Sequence, residues 1–333
     1  MIGPGEIVRE MRVDLHVHTR HSRLRKIPVL RARDCYSPPL DVYRKAKSKG
    51  MDLVTFTDHD TIDGCVELLS REGSWDDFFI SEEVSTRDPR CGCGFHVGVF
   101  GINERQHLEI QRLRPDIRDL AAYLAAEAIP ASLNHVGSSL VGKRMKVDSL
   151  LEVAASFPLL ETRNGAQIRV SNQVAEALLS ALPGGDQRAG CTGGSDAHTT
   201  HRIGRTWTSA RAHSRESFLA ALRARQVMSE GTSASFPALL RDVYQIVGRY
   251  YLDLVRNDYH HFSTRERRTS AACALASLPL HLVALPATGT LYRLLRVRLA
   301  ARNLTRVLAG TSRECPEEQP AQGEEAVSLS AGA

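Results

Sequence analysis

Val13-Asp14-Leu15-His16-Val17-His18-Thr19 alternates apolar and polar residues, which is the period of a β-strand. Successive strand side chains point to opposite faces. Asp14, His16 and His18 therefore share one face, and Val13, Leu15 and Val17 the other. Two imidazoles at i and i+2 on one face can grip a metal ion. An edge strand whose histidines only meet water is the other account, and the pair alone does not separate the two. Four later stretches do.

They are Thr57-Asp58-His59-Asp60, Ser81-Glu82-Glu83, Asn134-His135 and Ser195-Asp196-Ala197-His198. Each follows a run that reads as a strand: Met51 to Thr57, Phe78 to Ile80, Ile129 to Leu133, and Gly190 to Gly194. Another strand, Phe95 to Phe100, carries His96 near its start. Helical patterns separate them at Leu40 to Gly50, Ile62 to Ser70, Asp116 to Ala128, Val147 to Ala155 and Val170 to Leu182. The first has prolines before it and Gly50 at its C-cap. Such alternation predicts an α/β fold, most simply a parallel sheet closed as a barrel. Parallel strands bring their C-terminal ends to one mouth, so His18, His59, Glu83, His135 and Asp196 should meet there. His96, which begins its strand, is the exception.

A chain of 333 residues with 42% hydrophobic content can bury a large core and carry an appendage. Its formal charge of +5 permits an anionic substrate but does not by itself argue for nucleic acid. Seven cysteines in no paired framework indicate a reducing cytoplasm, and Cys91-Gly92-Cys93 reads as a loop. The first ten residues read as a short leader with no apolar core of a secretion signal. The stretch Ala271 to Gly289 is only moderately apolar, and Pro279, His281 and Pro286 argue against a spanning helix.

The barrel is expected over 11–231, an arginine-rich helical region over 232–313 and an acidic disordered tail over 314–333. Residues 241–313 hold twelve arginines, no lysine and four acids. Leu294, Val297, Ala301, Leu304 and Leu308 fall on one helical face, with Arg298, Arg302 and Arg306 turned away from it. That pattern predicts a helical cover for the barrel, with weak contact to an anionic membrane surface as a further role. No obligate protein partner is expected.

The candidate ligands are His16, His18, Asp34, His59, Glu83, His96, His135, Asp196 and His198. Six imidazoles and three carboxylates are too many for one ion and suit two or three divalent cations with bridging carboxylates. Nitrogen and oxygen ligands without thiolate favour Mn²⁺, Fe²⁺ or Zn²⁺. Phosphate also needs donors, and Arg20, His201, Arg202 and Arg205 flank the first and last motifs; a solvated basic rim is the competing account of each. Asp14, Asp58 and Asp60 can orient ligands from behind, as can Asn164, which could equally hold a turn.

These stretches together resemble the PHP (polymerase and histidinol phosphatase) domain family, over about residues 11–231. Asp14-Leu15-His16-Val17-His18-Thr19 is similar to its first motif and Thr57-Asp58-His59-Asp60 to its second. The stretch around His135 is similar to the third and Gly194-Ser195-Asp196-Ala197-His198 to the fourth. Glu83-Val84-Ser85 is similar to the family's glutamate-x-serine step, which marks Glu83 rather than Glu82 as the ligand. Glu161-Thr162-Arg163-Asn164-Gly165 and Ile203-Gly204-Arg205-Thr206 also resemble recurring family stretches. In many members the first motif runs directly into Ser-Asp-Gly; here an insertion separates Ser22 from Asp34, which keeps its place five residues before Pro39.

The resemblance implies a distorted (β/α)7 barrel with a di- or trinuclear centre that hydrolyses a phosphate ester through a metal-activated hydroxide, with Asp196, His198 and Glu83 as catalytic ligands. Its implied sharing puts His16, His18, Glu83 and Asp196 on one ion, Asp34, His59 and His198 on a second, and Glu83, His96 and His135 on a third. The substrate would be a small phosphomonoester or a nucleotide. A nuclease acting on oligonucleotide ends and a metal-stabilised binding or regulatory module are the alternatives.

Overall fold

The computed structural model describes residues 8–22, 32–139, 145–182, 189–256, 263–280, 282 and 285–311. Most of the leader, the core of the basic loop after Ser22, Cys315 and the acidic tail lie outside the described residues. Strands β1 (Arg9–Val13), β2 (Ser81–Asp88), β3 (Cys93–Phe100), β4 (Ala131–Asn134), β5 (Leu159–Asn164), β6 (Gly190–Gly194), β7 (Thr206–Ala212) and β8 (Met228–Gly231) form two sheets. One is antiparallel in the order β1-β7-β8, and the other is mixed in the order β2-β3-β4-β5-β6.

The α/β class expected from the sequence is present, but the uniformly parallel sheet is not. Only β4, β5 and β6 run parallel, while β3 is antiparallel to both β2 and β4. The reason is local: four residues join β2 to β3, and so short a link returns the chain as a hairpin. The reversal accounts for His96. In β3 it pairs with Ser85 and Asn134, at the same end of the sheet as Glu83 and His135.

The alternating stretch that opens the chain is a regular strand only to Val13. Residues 14–18 continue extended, linked by a bridge between Val17 and Ala197 and by hydrogen bonds from His18 N–H to Ala197 O and from Thr57 N–H to Val17 O. Met51 to Thr57 likewise contributes isolated bridges, Val54 to Phe78 and His59 to Glu83, rather than a regular strand. Both faces of 13–18 are buried. Its apolar face joins two hydrophobic clusters, with Val13 and Leu15 in one beside Phe79 and Phe218, and Val17 in the other beside Phe56 and Phe78. The third cluster lies under β3 and β4.

Helices α1 (Pro39–Ser48), α2 (Asp63–Leu69), α3 (Glu104–Leu113), α4 (Ile117–Ala126), α5 (Val136–Ser139), α6 (Val147–Ala155), α7 (Arg169–Ala181) and α8 (Arg215–Arg223) surround the strands. α3 is set by Asn103, whose side chain accepts from Gln106 N–H while Gln106 returns the bond. Three longer helices follow: α9 (Phe236–Arg256), α10 (Thr264–Pro279) and α11 (Leu285–Thr311). Val297, Ala301 and Leu308 of α11 are buried, and Leu308 and Leu304 pack into the cluster under β3 and β4. Among the described residues no helix is long and apolar enough to cross a membrane. The six described cysteines are free.

The extended stretch lies very close to β6. A Cβ added at Gly194 would collide with the Cβ and backbone of His16. We expect Gly194→Ala to destabilise the fold by about 1–3 kcal/mol through overpacking, read as a lower urea midpoint at unchanged slope. An unshifted midpoint would show that the two segments can separate.

Candidate metal centre

Glu83 is the residue on which the site converges. Its neighbour Glu82 points to the opposite side of β2 and there binds His107 Nδ1 (3.0 Å) and Gln111 Nε2 (2.8 Å). Glu83 is wholly buried and faces five imidazoles. Oε1 lies 3.0 Å from His135 Nε2, 3.2 Å from His16 Nε2 and 3.4 Å from His96 Nδ1. Oε2 lies 3.1 Å from His59 Nδ1 and 3.6 Å from His18 Nε2.

Asp196 forms the second focus, with Oδ1 3.4 Å from His18 Nε2, 3.5 Å from His198 Nδ1 and 3.6 Å from His16 Nε2. Asp34 forms the third, with Oδ2 3.6 Å from His198 Nε2 and 3.7 Å from His59 Nε2. All nine ligand candidates named from the sequence therefore converge, Asp34 included, despite the insertion before it. Sets close enough to share one ion are His16-His18-Asp196, His16-Glu83-His135, His59-Glu83-His96 and His18-His59-His198. They divide His96 and His135 between two groups, where the family resemblance implies one.

The donor set fits divalent ions on two counts. Buried polar atoms normally have hydrogen-bond partners. Yet His16 Nε2, His18 Nε2, Asp34 Oδ1, His59 Nδ1, Glu83 Oε2 and His96 Nδ1 are buried and make none. Six further atoms of this kind lie elsewhere among the described residues, on separate side chains, whereas these six converge on one site. In addition, two ligands bound at 2.0–2.2 Å to one ion sit about 3.0–3.5 Å apart in octahedral or tetrahedral geometry. Most of the nitrogen–oxygen spacings around Glu83 and Asp196 fall in that range.

A second layer holds these ligands. His16 Nδ1 lies 2.8 Å from Glu161 Oε1, which leaves Nε2 aimed inward. Glu161 Oε2 accepts from His135 N–H (3.0 Å) and from the Asn164 amide (2.9 Å), and that amide also donates to Asp196 Oδ2 (3.2 Å). Asp14 accepts from the N–H groups of Ser195 and Gly204, both at 2.8 Å, and so ties the first motif to the last. Asp58 accepts from the Thr19 N–H and hydroxyl, both at 2.6 Å. Asp60 accepts from Ser85 N–H (2.7 Å) and Arg114 (3.0 Å). Glu161 is the member that sequence reasoning gave no role. Its signals were its place after the apolar pair Leu159-Leu160 and the likeness of Glu161-Thr162-Arg163-Asn164-Gly165 to a recurring family stretch, neither of which says what the carboxylate binds.

Asp60, His135 and Asp196 have positive φ angles of 54°, 28° and 49°, in the left-handed region that non-glycine residues seldom enter. Three such residues at one site are strain held by the surrounding hydrogen bonds, a pattern found at functional sites.

The basic residues proposed as phosphate donors are largely engaged. Arg202 is buried, paired with Asp242 of α9 and donating to Gly165 O at 2.6 Å. It supports the loop after β6. Arg20 binds Glu67 at 2.8 Å, and His201 lies 3.2 Å from Asp242. Arg205 is exposed and donates to His201 O at 3.3 Å.

Burial and charge pull these groups apart. Burial opposes charging of His16, but Glu83, Glu161 and Asp196 outweigh it and hold its pKa well above the ordinary range. His198 is likewise opposed by burial and raised to about 9 by Asp34 and Asp196. Burial lowers His59 to about 3. The desolvation that acts against Glu83 and Asp196 is overcome by the surrounding imidazoles, so both stay well below the carboxylate range. Burial raises Asp14 to about 6 and Asp58 to about 7.

Without metal, His16, His135 and His198 hold protons more tightly than free imidazole. A metal must displace those protons, so its affinity should rise with pH up to about 9, where His198 loses its proton. Titration calorimetry with Mn²⁺ in buffers of differing ionisation enthalpy should show proton release; an affinity flat from pH 6 to 9 would contradict this assignment. Glu161→Gln should weaken Mn²⁺ binding about 10–100-fold by loosening His16, measured in the same titration.

Residues 188–227 match the PHP-associated family. An uncharacterized protein of Methanocaldococcus jannaschii is 35% identical over 95 residues, which cover 28% of this chain and 52% of that protein. The chain thus spans about half the length of this curated relative. Two solved structures are similar in part to this chain. One, from Bifidobacterium adolescentis, bears a provisional metal-dependent phosphoesterase name, with 14% identity, a TM-score of 0.43, and coverage of 65% of this chain and 96% of that one. The other is an amidohydrolase from Chromobacterium violaceum with bound sulfate, with 15% identity, a TM-score of 0.44, and coverage of 65% and 97%. The PHP-associated match falls on the segment that carries Asp196 and His198, and it supports the PHP-domain family that the sequence motifs resemble.

Proposed function

We propose that this protein is a metal-dependent phosphoesterase whose centre holds two or three divalent ions of the Mn²⁺, Fe²⁺ or Zn²⁺ type, on a distorted barrel, a reading that the isolated bridges at Val17, Val54 and His59 support. The observation that carries the reading is the set of six buried, unbonded nitrogen and oxygen atoms gathered around Glu83, Asp196 and Asp34. So large a set of inward-facing ligands exceeds what a single structural ion uses.

Bound divalent ions supply Lewis acidity toward phosphoryl oxygens and toward water. The chain's own part is to keep the carboxylate donors ionised and all the donors aligned. Glu83 and Asp196 remain carboxylates across the physiological range because imidazoles surround them. Glu161 fixes the ring of His16, and Asn164 restrains Asp196. His198 lies on the loop that Asp242 and Arg202 brace, at the open side of the centre where a substrate would enter. The substrate would be a small phosphomonoester or a nucleotide, taken up in the cytoplasm. Contact of residues 241–313 with an anionic membrane surface is a further proposal, resting on the arginines of that region.

Purified protein should retain two or more transition-metal ions per chain and release phosphate from a panel of phosphomonoesters and nucleotides when Mn²⁺ is present. Asp196→Ala should lower turnover at least about a hundredfold, since it removes a ligand that several imidazoles share. Turnover no greater than that of Asp196→Ala would refute the enzyme, and metal retained without turnover would favour a binding module.

A further inference from the structure

A cavity of about 1000 Å³ opens beside the metal centre, with His198 in its wall. This is the upper end of the range for small-molecule sites, and a lone phosphomonoester would fill only one corner of it. Its walls come from the segment around Tyr36, from α1, from the loop 198–201 and from α9. Thus an element of the arginine-rich region faces the substrate side of the centre.

The cavity is basic. Arg20, Arg33, Arg44, Lys45, Arg249 and Arg256 line it. The carboxylates in its lining are Asp41 and Asp253, a formal excess of four positive charges. Arg20 is bound to Glu67, and Arg33 donates to the Arg20 carbonyl. Arg44, Lys45, Arg249 and Arg256 have no carboxylate partner among the described residues. Like charges gathered in one concavity repel each other and focus a positive potential into it, which an anion relieves.

The arrangement is also fixed in place. Asp242 of α9 accepts from Thr199 Oγ1 at 3.0 Å, pairs with Arg202, and lies 3.2 Å from His201. That three-way anchor sits on the loop that follows Asp196 and His198. It holds α9, and with it Arg249, at a set position relative to the centre. Arg44 of α1, about two hundred residues earlier in the sequence, lines the same cavity.

We infer that this cavity is a second anion subsite, and that the natural substrate carries, besides the phosphate at the metal centre, at least one further anionic group bound by Arg44 and Arg249. The identity of the first group rests on the phosphoesterase reading; the subsite itself rests on the cavity. Arg44 and Arg249 would set specificity, favouring substrates with two anionic groups over those with the metal-bound phosphate alone.

The test uses ligands that cannot be hydrolysed. An alkyl monophosphonate and the α,ω-bisphosphonate of the same chain are titrated into Mn²⁺-loaded protein at low and moderate salt. The bisphosphonate should bind at least about tenfold more tightly, the effect of one charge-assisted hydrogen-bonded contact, and the advantage should shrink with salt. Both side chains are exposed, so Arg44→Gln/Arg249→Gln should fold normally; it should lose most of that advantage. No advantage in the wild type, or the same advantage in the double variant, overturns the subsite. A monophosphonate that does not bind the Mn²⁺-loaded protein counts against the phosphoesterase reading alone, because the loss of bisphosphonate binding in the double variant still reports on the cavity.

Discussion

A buried carboxylate facing five imidazoles organises this molecule. An isolated carboxylate at the position of Glu83 would carry a desolvation cost of several kcal/mol. It is offset by the imidazoles of His16, His18, His59, His96 and His135, which come from four separate segments. Each segment must therefore be in place for the others to be tolerated. The strained backbone at His135 and Asp196, and the close approach of Gly194 to His16, are consequences of bringing those segments together.

The supporting layer follows the same logic. Asp14 joins the first motif to Ser195 and Gly204, Asp58 is bound by Thr19, and Glu161 links His16 to His135 through its two oxygens. The ligand cage is therefore held by side chains that are themselves held, which is the condition for a precise metal site. The same construction extends outward, where Arg202 and Asp242 join the last ligand-bearing loop to α9. The arginine-rich region is thus tied to the loop beside the centre through Asp242 and its partners Thr199, His201 and Arg202.

Much of the cage was legible because its spacings are local. His16 and His18 lie two apart on an extended segment, His59 falls between two aspartates, and Asp196 and His198 lie two apart just after β6. Asp34 could be placed by its distance from Pro39, where α1 begins. Strand direction was legible in principle but was read as parallel throughout. The four residues between Asp88 and Cys93 force a hairpin, and the reading missed it because Glu83 was taken as the end of a strand when it lies near the beginning of one. Glu161 and Asp242 were not legible as parts of the site. Glu161 stands in a stretch that resembles the family and Asp242 in an ordinary context, but the role of each comes from a partner far away in sequence: His16 is 145 positions from Glu161, and Arg202 is 40 from Asp242.

The central claim is that the inward-facing nitrogens and oxygens around Glu83 are metal ligands rather than a buried proton-sharing network. Anomalous X-ray diffraction from Mn²⁺-loaded crystals, collected on both sides of the manganese absorption edge, tests it directly. The account predicts at least two anomalous peaks inside the cage, with Glu83 or Asp196 coordinated to them. A cage free of anomalous density at full Mn²⁺ loading, with the Glu83–imidazole contacts intact, would contradict it.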